Sequence, residues 1–162
     1  MKTGKNDYIC GYVCTPGYAL RRVGVARKSE HIKLLRLMKP IVTSAAPAAI
    51  GPYSQAIEVN GFVYASGQLP IDPATGAFPE GGVQEQTRQS LLNVKAILEE
   101  AGLTLANVVK TTVYLADMGD FAAMNEIYSQ FFSQPFPARS AVAVKALPKG
   151  ALVEVEVIAA RG

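Results

Sequence analysis

Beyond His31 the chain contains neither histidine nor cysteine: Cys10, Cys14 and His31 are the only three such residues, and all lie near the N-terminus. Residues 40–162 therefore cannot hold a Ser-His-Asp or Cys-His nucleophile, nor a zinc ion on His or Cys ligands. Cys10, Cys14 and His31 together supply three ligands where structural zinc takes four, so the two thiols read as isolated. No apolar run approaches the ~18–20 residues of a membrane span. No apolar stretch follows the early basic residues, as a secretory signal would require. Positive charge is also scarce where it would matter. The formal +3 is an average: residues 1–39 hold nine Lys/Arg against Asp7 and Glu30, a net +7, whereas residues 40–162 hold seven against eleven, a net −4. An acidic body argues against a general nucleic-acid surface.

What is present is a chain of 162 residues, 49% hydrophobic and 18% charged, enough for one domain with a real core. The composition changes near Met38-Lys39-Pro40, which divides a basic extension, 1–37, from a domain over 38–162. The extension admits three readings: a transit peptide, a basic arm, or upstream sequence with Met38 as the true start. The last is preferred, because the segment has few serines and a weak apolar face for a transit peptide. The expected compartment is the cytoplasm, or the mitochondrion if the extension is a genuine transit peptide.

The domain reads as alternating elements. Asn60-Gly61, between Ala56-Ile-Glu-Val and Phe62-Val-Tyr-Ala-Ser-Gly-Gln, supplies the positive φ values of a tight hairpin. Residues 70–82, rich in Pro and Gly, form a loop, and Gly81-Gly82 lacks the spacing of a phosphate cradle. Val83 to Ala101 carries Leu91, Val94, Leu98 and Ala101 on one stripe before Gly102, which predicts a helix with one buried face. Val108 to Ala116 reads as a strand. Asp117 to Asp120 offers N-cap chemistry for a second helix whose apolar stripe is Phe121, Met124, Ile127 or Tyr128, and Phe131, ended by Pro135 and Pro137.

The last stretch, Pro137 to Ala160, alternates on both sides of Leu147-Pro148-Lys149-Gly150 and is expected to be a β-hairpin. The order ββ-α-β-α-ββ predicts an α+β fold with about five strands and two helices on one face. The other face would show Leu152, Ile158, Ala141 and Ala143 among charges, which predicts oligomerisation through the sheet. Arg139, Glu154 and Glu156 are charges in strands otherwise built of Ala and Val, and such charges need a partner or a task. Two readings stay open. Arg139 can grip a small carboxylate with two parallel hydrogen bonds while a desolvated glutamate activates water. Alternatively, Arg139 pairs across the hairpin with Glu154 or Glu156. Taken singly, Asn125, Ser66-Gly67 and Tyr53 are ordinary surface, turn and packing residues.

Ala48-Ala-Ile-Gly-Pro-Tyr-Ser-Gln, Ser66-Gly-Gln, Gln89-Ser-Leu-Leu-Asn-Val-Lys, Lys110-Thr-Thr-Val-Tyr, Phe136-Pro-Ala-Arg-Ser, Leu147-Pro and Val153-Glu-Val-Glu-Val-Ile-Ala occur in order. Together they resemble the reactive intermediate deaminase (Rid, YjgF-type) family over residues 40–161. The resemblance implies a chorismate-mutase-like α+β fold with a mixed sheet, assembled as a homotrimer around a central barrel with sites between subunits. It implies a cofactor-independent reaction in which water adds to 2-aminoacrylate or 2-aminocrotonate, as the enamine or imine, to give a 2-oxo acid and ammonia. Such intermediates are released by pyridoxal-phosphate-dependent dehydratases acting on serine or threonine. By the same resemblance Arg139 would bind the substrate carboxylate, and Glu154 would position or activate water. Tyr53, Ser66, Gly67 and Asn125 would line the cleft, with the backbone of Ala141. Many members carry Cys where Ala141 stands, so chemistry through a thiol is excluded here, and activity is expected to survive without it. The family also carries ribonuclease or translation-inhibiting activity as a rival, and a third class is a non-catalytic trimer that binds small carboxylates or partner proteins.

Overall fold

The computed structural model describes residues 37–162; the readings of the basic extension, with Cys10, Cys14 and His31, lie outside them. The elements are β1 (Lys39–Ile41), β2 (Ala56–Val59), β3 (Phe62–Gln68), α1 (Val83–Glu100), β4 (Val108–Leu115), α2 (Phe121–Phe131), β5 (Ala138–Ala143) and β6 (Val153–Ala160). They form one six-stranded mixed sheet in the order β1-β2-β3-β6-β4-β5, with both helices on one face. The strand count exceeds expectation by one, because Lys39–Ile41 adds an edge to β2. Among the described residues no helix is long and apolar enough to cross a membrane.

Local chemistry accounts for most of the boundaries. Asn60 (φ 51°) and Gly61 (φ 80°) make the β2–β3 turn, and both need the left-handed region that Asn and Gly enter most readily. At the start of α1, Glu85 turns back to accept the Gly82 N–H at 2.9 Å. At its end Gly102, at φ 69°, stops the helix, and Leu103 N–H returns to the Leu98 carbonyl. Leu91, Val94, Ile97 and Leu98 on α1 are fully buried against Val153, Val155 and Val157 of β6. Asp117 caps the turn before α2 by accepting the Gly119 N–H at 2.7 Å.

The expected final hairpin is wrong, and the error matters for the site. β5 and β6 do not pair. β4 lies between them, antiparallel to β6 and parallel to β5. Residues 144–152 are too long for a tight turn, and α2 instead serves as the crossover of a β4-α2-β5 unit. A second correction follows from register. Thr111 of β4 aligns with Arg139 and with Val157, and Val113 aligns with Ala141. Thr111, Val113 and Val157 are buried under the helices, so Arg139, Ala141 and Ala143 point to the helix side. The open face carries Val142 instead, with Phe62, Tyr64, Glu154, Glu156 and Ile158, while Leu152, just before β6, packs against the core. Phe62, Tyr64 and Val142 are each 41–46% exposed.

Candidate active site

The sequence-predicted residues fall into two groups on opposite faces of the sheet. The first surrounds Glu154. The β3–β6 register slips between Ala65 and Gln68, placing an irregularity at Ser66-Gly67 beside Val155. Ser66 donates its hydroxyl to the Ser54 carbonyl at 2.7 Å and its N–H to the Gln55 carbonyl at 2.9 Å, locking β3 to the segment that bears Tyr53. Gly67 lets the Glu154 carboxyl come close: a Cβ there would collide with its Oε1 and lie 2.8 Å from its carboxyl carbon, so the glutamate side chain would have to move. Tyr53 and Gly67 line one cavity of about 510 Å3, shared with Ile50, Leu69, Ile71 and Lys149. Burial pushes the Glu154 carboxyl to a higher pKa, and the negative charge of Glu156 pushes it the same way. Its carboxyl is thus shifted toward the protonated form and lies against Gly67, a wall residue of an opening large enough for a small molecule.

The second group surrounds Arg139. Its guanidinium donates to Asn125 Oδ1 at 2.8 Å and lies over the Tyr128 ring, 4.5 Å from the centroid, with Phe121 at 5.5 Å. Arg139 pairs with neither glutamate. The two rings lie against the guanidinium, and among the described residues its one hydrogen bond, to Asn125, leaves most of its N–H groups available to an oxyanion. Ala141 is half-buried one row further along β5, beside Val113.

A family model described as endoribonuclease L-PSP matches residues 43–161. The chain belongs to this family, also called YjgF or Rid. A RutC family protein of Pyrococcus abyssi is 56% identical over 119 residues, 74% of this chain and 94% of that one. A protein of Capra hircus named 2-iminobutanoate/2-iminopropanoate deaminase is 55% identical over 122 residues, 75% of this chain and 89% of the relative. Among solved structures, E. coli TdcF with bound serine is similar with a TM-score of 0.73 at 47% identity, covering 76% of this chain and 99% of that one.

Two supports of this candidate site were not singled out from sequence. Tyr128 is 5% exposed and reads as one more apolar member of its stripe, yet its hydroxyl lies 2.9 Å from Thr111 Oγ1 and its ring carries Arg139. The available signal was a phenol among apolar residues, since a buried Tyr hydroxyl needs a partner. Gln55, 3% exposed, is the clamp of the cavity wall. Its Oε1 accepts the Thr43 N–H at 2.7 Å, and its Nε2 donates to the carbonyls of Thr43, Ala46 and Pro47 at 2.8–3.2 Å. Gln55→Leu keeps the bulk but strands these groups, so the chain should lose roughly 2–3 kcal/mol of stability. Urea denaturation checks this; an unchanged midpoint would show the amide to be dispensable.

Proposed function

We propose that this Rid protein is a 2-iminobutanoate/2-iminopropanoate deaminase. The observation that carries the reading is the Glu154 carboxyl, raised in pKa and lying against Gly67, which itself lines a cavity of small-molecule size. The name of the goat relative and the serine bound to TdcF point to the same substrate class. The substrate is a 2-imino acid, formed from its enamine by moving a proton to carbon. Water attacks C2 of the N-protonated imine while Glu154 takes one of its protons, giving a neutral carbinolamine. Glu154 returns that proton to nitrogen, the hydroxyl gives up its own proton to Glu154 as the C–N bond breaks, and the 2-oxo acid and ammonia leave. Arg139 grips the carboxylate through two N–H groups and so fixes C2 relative to the water. Tyr53, Ser66 and Gly67 shape the cavity wall, Asn125 orients Arg139, and the backbone at Ala141 adds to the cleft.

Within one chain Arg139 and Glu154 lie on opposite faces of the sheet, so a single copy does not bring them together. The complete site then lies between copies, and the apolar open face gives the contact by which a homotrimer would form. The test couples the protein to a serine or threonine dehydratase and follows the 2-oxo acid. Wild type accelerates its appearance. Arg139→Ala and Glu154→Gln, assayed separately, do not. Denatured together and refolded as mixed assemblies, the two inactive variants should recover about a quarter of the wild-type rate, the share of interfaces that join an intact Arg139 to an intact Glu154. No recovery, with each variant folded and assembled, would place both residues of the site in one subunit.

A further inference from the structure

Lys149 stands apart from everything assigned above. It is the single charged side chain among the described residues lining the cavity that Gly67 and Tyr53 share. It also sits at φ 56° in the turn Pro148–Gly150, a backbone conformation that Gly or Asn would occupy with less strain. An exposed lysine held in a disfavoured conformation at a cavity wall needs a use for its side chain.

The electrostatics of the cavity supply one. The substrate proposed above is an anion. It must enter beside the carboxyl of Glu154, with Glu156 two residues along the same strand, in a domain whose sequence from residue 40 onward is net negative. Arg139 does not offset this repulsion from within the same chain, because it lies on the other face of the sheet. We infer that Lys149 is a second anion-binding residue of the site, drawing the substrate carboxylate into the cavity past Glu154. It is a binding residue for entry, with no part in proton transfer, and the inference rests on the deaminase reading.

Lys149→Gly removes the ammonium and suits the existing backbone, so the fold should be kept. The expected result is a KM for the four-carbon imine raised about fivefold with kcat within twofold. The fall of kcat/KM with ionic strength should flatten as well, since the interaction lost is a screened one. Lys149→Arg should restore both. Calorimetric binding of 2-oxobutanoate, which needs no turnover, should weaken by a similar factor in Lys149→Gly. Wild-type hydrolysis with an unchanged KM and salt dependence in Lys149→Gly overturns the role of Lys149 alone. A drop in kcat at constant KM also overturns it. Wild type that neither hydrolyses the imine nor binds 2-oxobutanoate overturns this inference together with the deaminase reading.

Discussion

Glu154→Gln is expected to abolish nearly all deaminase activity and at the same time to stabilise the protein. Removing a general base costs about a hundredfold to ten-thousandfold in kcat, and the amide cannot take the proton of water. The gain in stability comes from the same environment. Burial and the neighbouring charge of Glu156 raise the pKa of Glu154 above its ordinary 4.5. Between the unfolded and the folded pKa the native state binds more protons than the unfolded chain, so stability falls as pH rises through that window. Above the window the full cost of the charged carboxylate is present, and glutamine removes it. The melting temperature of Glu154→Gln should therefore exceed that of wild type at neutral pH, with the difference vanishing below the unfolded value. The wild-type acid limb of kcat/KM should lie above pH 4.5 for the same reason, and Glu156→Gln should move it down by removing the second cause. Equal melting temperatures across the pH range, with full activity in Glu154→Gln, would show this carboxylate to be neither destabilised nor used.

The elements that could be read from sequence were those whose signals are local. Asn60-Gly61 carries its own turn geometry, Gly102 its own stop signal, and Leu91, Val94 and Leu98 recur at helical spacing whatever surrounds them. The failure lay in strand pairing, which is a long-range property. Two alternating runs on either side of Pro148-Lys149-Gly150 look alike whether they pair with each other or each pairs with a third strand. β4 took that middle place because the α2 crossover returns the chain parallel to it. The same slip hid the faces. A strand's two-residue period says that Arg139, Ala141 and Ala143 share a side, but only register against Thr111 and Val113 says which side. The candidate site could be named as a set of residues through motif resemblance. Its division into a Glu154 group and an Arg139 group was not, because nothing local to either residue records the face on which the other lies.

That division makes Arg139 the residue whose loss should be largest in binding and smallest in stability. Its guanidinium is exposed at a sheet edge, makes one hydrogen bond to Asn125 and stacks on Tyr128. Truncation to alanine therefore costs the fold about 1 kcal/mol at most, the scale of one exposed cation–π contact. For the substrate the accounting reverses. In the site proposed between copies, the carboxylate leaves water and, without the arginine, loses the paired donors that match its two oxygens and keeps only the point charge of Lys149. Losing one member of such a desolvated, hydrogen-bonded charge pair costs about 4 kcal/mol, or roughly a thousandfold in kcat/KM. Arg139→Lys keeps the charge but offers a point donor that neither forks onto two oxygens nor stacks flat on the Tyr128 ring, so it should recover only part of the loss. Calorimetry with 2-oxobutanoate separates the cases: no detectable heat for Arg139→Ala, weak binding for Arg139→Lys, and urea midpoints close to wild type for both. Unaltered affinity in Arg139→Ala would mean that the carboxylate is held elsewhere, and Lys149, which lines the cavity, would then be the cation to remove next.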